Sequence, residues 1–456
     1  MTPALPANAG TPSSRWFGAR FADLLLAPFA RVEPGEGAGA LLLALNVFLL
    51  LAAYYLLKTV REAFILTQGG AEVKAYSAAG QAGLLLLIVP LYAWLGRHLP
   101  RFRLIATITL FFVSNLLLFY WLAAIGKSIG VIFYLWLGIF NVMIVAQFWA
   151  FANDLYSEQA GKRLFPVVGI GSSLGALVGA RVASWSFASL PANDLLLVAC
   201  VLLLASLALT WWLNRRACDA CPVQRSNAAA PVGSENGFSL VAHDKYLRLI
   251  AAMVVLLNVV NTGGEYLLSK LVVREAAQAA AGALNPKAVE QAFIGHFYGN
   301  YFTWVGLLGL ILQMFLVSRL FRWVGVRGAL FLLPMIALGG YGMLAVLPAL
   351  SIAFAAKVCE NATDYSVENT ARQALFLPVT QEAKYQARTA IDTFFYRAGD
   401  MSQAGIVWIG TAWALTPQHF AMINVGLVTV WLGTVAVLAR TAPSGAAVSS
   451  AASGKG

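Results

Sequence analysis

The stretch LLLALNVFLLLAAYYLLKTVRE, residues 41–62, is a long apolar run that ends in cations and a carboxylate. A similar stretch, LNVVNTGGEYLLSKLVVRE, occupies residues 257–275, about 210 residues further along the chain. A helix needs roughly 20 apolar residues to cross a bilayer. Charged groups inside such helices are costly, and they usually belong to a pathway, a relay or a gate. The repeat therefore predicts a duplicated membrane protein with functional charges in its helices.

The composition supports a polytopic membrane protein. Of the 456 residues, 60% are hydrophobic and only 11% are charged, which is far too apolar for a soluble globule of this length. About twelve candidate spans begin near Leu41, Ser77, Leu104, Val131, Phe165, Leu195, Leu247, Tyr301, Ala329, Leu350, Thr389 and Phe420. Six precede a polar stretch at Asn214–Ser239 and six follow it. We therefore expect an all-α membrane protein with two six-helix halves.

The formal net charge of +11 raises the question of nucleic-acid binding. The cations are instead sorted by loop, so no nucleic-acid partner is expected. Alternate loops are rich in Lys and Arg, which places both termini in the cytoplasm of a bacterial inner-membrane protein. The loops after the first and seventh spans break this pattern with Lys58, Arg61, Lys74, Lys270, Arg274 and Lys287. We expect function where the pattern breaks.

The polar stretches divide the chain into five parts. Residues 1–38 form a cytoplasmic segment with a short amphipathic helix at the membrane surface, carrying Phe17, Phe21, Leu24 and Leu25 on one face. Bundles at 39–213 and 245–440 flank a flexible cytoplasmic linker at 214–244, rich in Asn, Ala, Pro, Ser and Gly. A disordered tail occupies 441–456.

Metal and cofactor chemistry are not expected. Cys218 and Cys221 form a Cys-x-x-Cys pair in the linker, which is typical of a redox or zinc half-site. No second pair and no nearby His completes a zinc tetrad, so an incidental reduced pair is the preferred interpretation. No nucleophile, base and metal come together in the sequence, and an enzyme is therefore not predicted.

Glycines recur at four-residue spacing in the fifth span, at Gly171, Gly175 and Gly179. Such a stripe lets a neighbouring helix approach closely, and a flexing gate helix is the functional alternative. Arg-rich loops at 96–103 and 319–327 follow the second and eighth spans. Their equivalent places support the duplication, and they resemble the loop signature of the major facilitator superfamily.

The tenth span carries an unusual ionic face. At about 100° per residue, its polar side chains fall within an arc of roughly 120°; they are Lys357, Glu360, Asn361, Asp364, Glu368 and Arg372. Buried charges need pairing or water, so this face predicts a wet cavity in which the cations bind anions and the carboxylates bind protons or basic groups. Alternatively, the helix leaves the membrane early and Asp364–Arg372 is an ordinary solvated face.

A second polar stripe lies on the seventh span. Its members Asn258, Asn261, Thr262, Glu265 and Ser269 share one face with apolar flanks. Glu265 is therefore the best single candidate for a membrane-embedded ionisable group. The alternative is a static gate in which Glu265 holds Lys270 or Lys58.

Three further groups carry charge at span ends. Lys58, Arg61 and Glu62 close the first span, either as an anion site or as an anchor at the lipid headgroups. Asp154 ends the fourth span, as an N-cap for the following helix or as a brace of the cytoplasmic gate. Asp392 shares a face with Arg388 on the eleventh span.

Four segments carry a family resemblance. They are 54–63 (YYLLKTVREA), 148–154 (FWAFAND), 162–166 (KRLFP) with the glycine stripe, and 371–374 (ARQA) through 390–392 (AID). Together they resemble the ATP/ADP translocase family, in order, over nearly the whole chain. The resemblance implies a twelve-helix, facilitator-like carrier that exchanges ATP for ADP or other nucleotides. It also implies that Arg61 takes the place of a cation that the exchangers use, with Glu62 as its acidic neighbour.

Two positions differ from the exchangers. The surroundings of Leu137 are apolar where the exchangers carry a Glu, and Asp400 stands where they carry a Lys. The predicted function is secondary transport of an anionic, nucleotide-like metabolite by a monomer in the lipid bilayer. The predicted substrate ligands are Lys58, Arg61, Lys357, Arg372, Asn258 and Asn261. The predicted coupling or gating groups are Glu62, Glu265, Glu360, Asp364, Asp154 and Asp392.

Two alternatives stay open. One is a proton-coupled facilitator for another small solute, with Glu265 and Glu360 as proton sites. The other is a membrane scaffold of the same fold that does not transport, in which ion pairs are neutralised within the protein and no cavity is open.

Overall fold

The computed structural model describes residues 33, 36–98, 101–156, 158–220, 237–377, 379 and 386–441. Within these ranges all regular secondary structure is helical. The segment expected to hold the amphipathic surface helix lies almost entirely outside the described residues, as does the tail beyond Thr441.

The described residues of the N-terminal half form five helices. They are α1 (Gly37–His98), α2 (Arg101–Ala124), α3 (Gly130–Leu155), α4 (Glu158–Ser186) and α5 (Asp194–Ala220). The 62-residue α1 is broken at Gly70, where φ is 73° and ψ is −173°. This left-handed φ favours glycine, because a Cβ would be strained there. The break divides α1 into two arms, so the half has six membrane-crossing segments.

The C-terminal half is interrupted more often. Its helices are α6 (Gly237–His243), α7 (Lys245–Ala280), α8 (Pro286–Ile311), α9 (Val317–Ala329), α10 (Leu332–Val346), α11 (Leu350–Thr363), α12 (Asn369–Leu375), α13 (Arg388–Ala390), α14 (Tyr396–Ala412) and α15 (Pro417–Thr441). Three π-helical segments, Leu312–Leu316, Asp364–Glu368 and Ile391–Phe395, join α8 to α9, α11 to α12 and α13 to α14. Such π segments occur frequently at functional sites.

The span count agrees with the prediction once breaks and charges are considered. Eight helical stretches of the described chain are long and apolar enough to cross a membrane. That number treats α1 as one and leaves out three shorter or more polar stretches, namely α10, α11–α12 and α13–α14. Counting both arms of α1 and these three stretches gives the predicted twelve. The all-α fold with two six-helix halves is confirmed.

Both ends of the predicted linker are helical, and residues 221–236 between them lie outside the described part of the chain. Helix α5 continues to Ala220 and α6 occupies Gly237–His243, both inside the predicted flexible linker at 214–244. Helix α6 forms because its apolar side chains find a surface in the C-terminal half. Val241 is buried, and the ring of Phe238 lies 5.0 Å from the ring of Phe394.

The glycine stripe of α4 is a packing feature. A Cβ built at each stripe glycine would lie 2.3–2.4 Å from a carbonyl oxygen of α1, pairing Gly171 with Ala44, Gly175 with Phe48 and Gly179 with Ala52. No side chain fits into that gap, so glycine lets the two backbones touch. The predicted close approach is confirmed, and its partner is the first arm of α1.

The two halves have separate apolar cores that meet at one end of the molecule. The core of the C-terminal half also takes in six residues of the N-terminal half: Ile65, Leu66, Ala71, Ala75, Tyr134 and Ala180. Most of these residues flank Gly70. Nearby, Gly295 and Gly299 of α8 lie against Phe187 and Ser184, at the C-terminal end of α4. We call this meeting of the two arms of α1 with the end of α4, the C-terminal part of α7 and the start of α8 the junction.

Candidate functional site

The break at Gly70 brings three charged groups of α1 together. Glu62 is 1% exposed and accepts a hydrogen bond from Arg61 Nε at 3.0 Å. Its other oxygen lies 2.7 Å from Lys74 Nζ on the second arm. In an unbroken helix, twelve residues would separate Glu62 and Lys74 by about 18 Å. The reversal at Gly70 therefore creates this pair, and Lys74 belongs to the site although sequence analysis treated it only as a loop cation.

Lys74 also reaches the other half of the protein. Its Nζ donates to Ser269 Oγ at 3.0 Å and lies 3.8 Å from Glu265 Oε2, both on α7. The Ser269 hydroxyl in turn contacts the Tyr298 hydroxyl of α8 at 2.9 Å. The ion-pair partner of Glu265 is therefore Lys74, and the predicted alternatives Lys270 and Lys58 are wrong.

A second ion pair crosses the junction nearby. Lys270 of α7 pairs with Glu72 of α1, and the Tyr266 hydroxyl donates to the same carboxylate at 3.1 Å. A cavity of about 30 Å³ lies among Lys74, Tyr134, Thr262 and Glu265, large enough for a single water. The loops whose cations broke the charge pattern thus supply the contacts that hold the two halves together.

A third ionic group is buried inside the C-terminal half. Lys357 of α11 is fully buried, and its Nζ lies 2.6 Å from Asn261 Oδ1 and 3.2 Å from Glu360 Oε2. The Tyr341 hydroxyl donates to that same Glu360 oxygen at 2.6 Å. Glu368 further along is buried as well, so the alternative of an ordinary solvated face over Asp364–Arg372 is wrong for that residue. In this state Lys357 is neutralised by its own half.

Two predicted substrate cations lack a carboxylate partner. Lys58 Nζ lies 4.2 Å from the ring centre of Phe302 and 5.2 Å from that of Tyr55, and it forms no ion pair within the described residues. Arg372, half-buried in the last turn of α12, likewise forms no ion pair there. The side chain of Lys58 on α1 therefore points toward α8 of the other half. Its ammonium group contacts aromatic rings of both helices.

The buried position of Arg61 bears on whether this residue is an anchor at the lipid headgroups. Its side chain is nearly enclosed, bound to Glu62 and placed with its guanidinium carbon 4.3 Å from the ring centre of Tyr134. A residue in this position cannot serve as an anchor at the lipid headgroups. The interpretation of Arg61 as a site residue is the one that fits its surroundings.

Asn258, predicted to bind substrate, is occupied by contacts between helices in this state. Its amide donates to the Tyr396 carbonyl at 2.6 Å and to Asp400 Oδ1 at 2.9 Å. Thr262 donates to the same Asp400 oxygen, and Arg397 donates to Oδ2 of Asp400 at 3.3 Å. The acidic residue that stands in place of the exchangers' Lys thus ties α7 to α14.

The remaining predicted residues lie apart from these groups. Asp154 is exposed in the last turn of α3, so the N-cap alternative for it is wrong, since α4 starts only at Glu158. Asp392 is exposed and pairs with Arg388 one turn earlier at 3.4 Å. Asp364 is half-buried at the start of the second π segment. Leu137, where the exchangers carry a Glu, is fully buried in the apolar core of the N-terminal half.

The described residues contain no cluster of three or more His, Cys, Asp or Glu side chains able to hold a metal ion. Cys221 of the linker pair lies outside the described part of the chain.

Known proteins with similar sequences are transporters and carriers. Residues 120–340 match the TLC ATP/ADP transporter family. Over these residues the chain is similar to the TLC ATP/ADP transporters. It is 22% identical to ADP,ATP carrier protein 1 of Chlamydia pneumoniae, over 64% of this chain and 63% of that carrier. With ADP,ATP carrier protein 5 of Rickettsia bellii, 22% identity extends over 87% of this chain and 90% of the relative. The resemblance predicted from the four segments is confirmed.

The fold of the chain is shared with solved transporters. A mutant of the nucleoside transporter NupG superposes with a TM-score of 0.63 and 14% identity, covering 88% of this chain and 99% of that one. The predicted facilitator-like architecture is thereby confirmed. The match to the Chlamydia carrier spans just over three fifths of that carrier's length, so activity and substrate are taken up as proposals.

Proposed function

We propose that the protein is a secondary active transporter of the ATP/ADP translocase type, which exchanges or imports nucleotides or related anionic metabolites by alternating access. The observation that carries this proposal is that Lys58 has no carboxylate partner among the described residues. In the described part of the chain, the buried cations Arg61, Lys74 and Lys357 each pair with a carboxylate. Lys58 is half-buried and has aromatic rings but no carboxylate beside it there. An unmatched cation in a membrane-spanning helix is unfavourable unless an anion or water completes its surroundings.

The surroundings of Lys58 fit a nucleotide in two ways. The ammonium supplies a charge-assisted contact to phosphate. The rings of Tyr55 and Phe302, 6.1 Å apart, supply surfaces on which a base can stack. Arg372 is the other predicted substrate cation that forms no ion pair among the described residues, and it belongs to the opposite half. An anion held between Lys58 and Arg372 would therefore be released or enclosed as the halves move.

Arg61 and Lys357 have a different place in this proposal. Both are bound by carboxylates in this state, to Glu62 and Glu360 respectively. They become available to substrate only if those carboxylates find other partners. Glu62, Glu265 and Lys74 then act as a gate at the junction. With the termini in the cytoplasm, as the loop charges predict, the junction closes the outer side of the protein.

Neither alternative accounts for the site as well. A non-transporting scaffold predicts ion pairs neutralised within the protein, and Lys58 and Arg372 do not fit that prediction. The relatives reported above are named as carriers or transporters, which places the chain among transporters and not among enzymes. A proton-coupled carrier of another solute differs from the proposal in its substrate and coupling ion, and ligand binding separates the two.

The test is thermal unfolding of the detergent-purified protein with ATP, ADP, nucleosides, phosphorylated metabolites and neutral solutes. A ligand that binds only the folded state raises the melting temperature. We expect ATP or ADP to do so in the wild type. Lys58→Ala should weaken this binding about tenfold or more, as for a charge-assisted contact. Lys287→Ala, at an exposed position on α8, is the matched control and should bind as the wild type does.

A response to a neutral solute alone would overturn the nucleotide substrate. Equal binding by Lys58→Ala and the wild type would remove Lys58 from the site.

A further inference from the structure

Glu368 is a buried acid that has no role in the proposed transport cycle described above. It closes the π segment Asp364–Glu368 and is 1% exposed. Neither of its carboxyl oxygens has a hydrogen-bond partner among the described residues. A buried ionised carboxylate without partners is very costly, whereas the neutral acid costs much less. The surroundings of Glu368 therefore accommodate its protonated form.

The neighbouring elements bring few charges to Glu368. Val367 packs with Val317 and Ala329 of α9 in a small apolar cluster. The charged side chains of α9 are all exposed: Arg319, Arg322 and Arg327. The charged groups that act on Glu368 are Asp364 at the other end of the π segment and Arg372 one turn onward in α12. Asp364 is half-buried, so its carboxyl group is accessible to water.

A metal ion fits this place poorly. Hard cations such as Ca²⁺ take six to eight oxygen ligands, and even Mg²⁺ demands a complete octahedron. No metal-sized cluster of acidic groups occurs in the described part of the chain. A proton needs only the carboxyl group itself. We propose that Glu368 is a proton-binding site, reached from water through Asp364, and that its occupancy is linked to an anion at Arg372.

The link rests on the proposed function and follows from charge competition. Deprotonated Glu368 would turn toward Arg372, the nearest cation, and neutralise it. A substrate phosphate bound to Arg372 removes that attraction and leaves Glu368 to take up a proton. Because binding linkage is reciprocal, protonation of Glu368 must also strengthen anion binding by the same factor. The anion and the proton thus load together, and losing the proton helps to release the anion.

The first arm of the test uses no substrate. Melting temperatures of the purified wild type, Glu368→Gln and the control Glu275→Gln, an exposed position on α7, are compared at about pH 6 and about pH 9. The wild type and the control should lose several degrees at the higher pH, because Glu368 is forced to ionise in its buried place. Glu368→Gln mimics the neutral acid and should lose clearly less. The same loss in all three proteins would overturn the proton site.

If Glu368→Gln does not fold, infrared spectra keep the proposal testable. The C=O stretch of a protonated carboxyl group should be present in the wild type and should shift in Glu368→Asp. A spectrum without that band, or one unchanged by the substitution, would overturn the proton site.

The second arm measures proton uptake when ADP is added in weak buffer with a pH indicator at about pH 9, where Glu368 of the substrate-free protein is ionised. Wild type and Glu275→Gln should take up about one proton for each ADP bound, and Glu368→Gln should bind ADP without this uptake. ADP binding without uptake in the wild type would overturn the link. Failure of all variants to bind ADP would contradict the nucleotide substrate, while the first arm still decides the proton site.

Discussion

At the scale of single residues, burial separates two lysines that make similar contacts across the junction. The side chain of Lys74 is 7% exposed; it pairs with Glu62 and Glu265 and donates a hydrogen bond to Ser269. The side chain of Lys270 is 41% exposed and pairs with Glu72. Exposed ion pairs contribute little because water competes for both partners. Removing one partner of a buried pair is far more costly, because the other charge stays behind without compensation.

Replacing Lys74 therefore has a larger effect than replacing Lys270. Lys74→Met should lower the free energy of unfolding by about 2 kcal/mol or more, with Arg61 still compensating part of the Glu62 charge. Lys270→Met, the matched control, should cost about 1 kcal/mol or less. Unfolding in detergent, followed by tryptophan fluorescence, measures both. Equal losses for the two variants would show that the ion pairs at the junction are equally solvated.

At the scale of elements, glycine decides how closely helices approach. Gly175 of α4 faces the backbone of α1, and its Cβ position lies 2.3 Å from the Phe48 carbonyl oxygen. Gly169, on the same helix, has no atom within 4 Å of its Cβ position. The same substitution at these two positions separates packing from helix propensity.

Gly175→Ala should destabilise the protein by about 1–3 kcal/mol, because one backbone must move away from the other. Gly169→Ala should be neutral or stabilise by up to about 1 kcal/mol, since alanine is the better helix former. Thermal unfolding of both variants in the same detergent makes the comparison. If Gly175→Ala were as stable as Gly169→Ala, the contact between α1 and α4 would be looser than the structure indicates.

At the scale of the whole molecule, the contacts between the halves gather at the junction. Ser269 is fully buried there, whereas Tyr365, on the second π segment, is 50% exposed. The proposed alternating access requires the exposed surface of Tyr365 to face a space between the halves that is closed at the junction and open at the other end.

Sided labelling tests this arrangement. After replacement of the native cysteines, Tyr365→Cys should react with a membrane-impermeant maleimide applied from the cytoplasmic side. Ser269→Cys should stay unreactive in the same vesicles, and it serves as the control for closure. Reaction of Tyr365→Cys only from the outer side would reverse the orientation predicted by the loop charges. Equal reaction of both variants would show that the junction is open.

Sequence reasoning identified many of the charged residues at the site but did not predict which of them form ion pairs with each other. Lys357 and Glu360 are three residues apart, so helical spacing alone places them together. Arg61 and Glu62 are adjacent in sequence, and sequence analysis named both as site residues. Lys74, Glu72 and Tyr341 were not identified as site residues, because their partners lie on other arms or helices that are distant in sequence. The excess of cations in the loops after the first and seventh spans was the one signal that pointed to the junction.

The sequence by itself determined the membrane class, the duplication, the number of spans, the family resemblance and the close approach of α4. Each of these depends on local hydropathy, spacing or a motif, which the chain carries wherever its parts lie in space. Only the tertiary structure decided that Lys74 folds back onto Glu62 and that Glu265 meets Lys74. It also decided that, among the described residues, Lys58 has no carboxylate partner and Glu368 has no hydrogen-bond partner. These outcomes depend on the reversal at Gly70 and on how the halves meet, because the energy of a buried charge is set by neighbours that are distant in sequence.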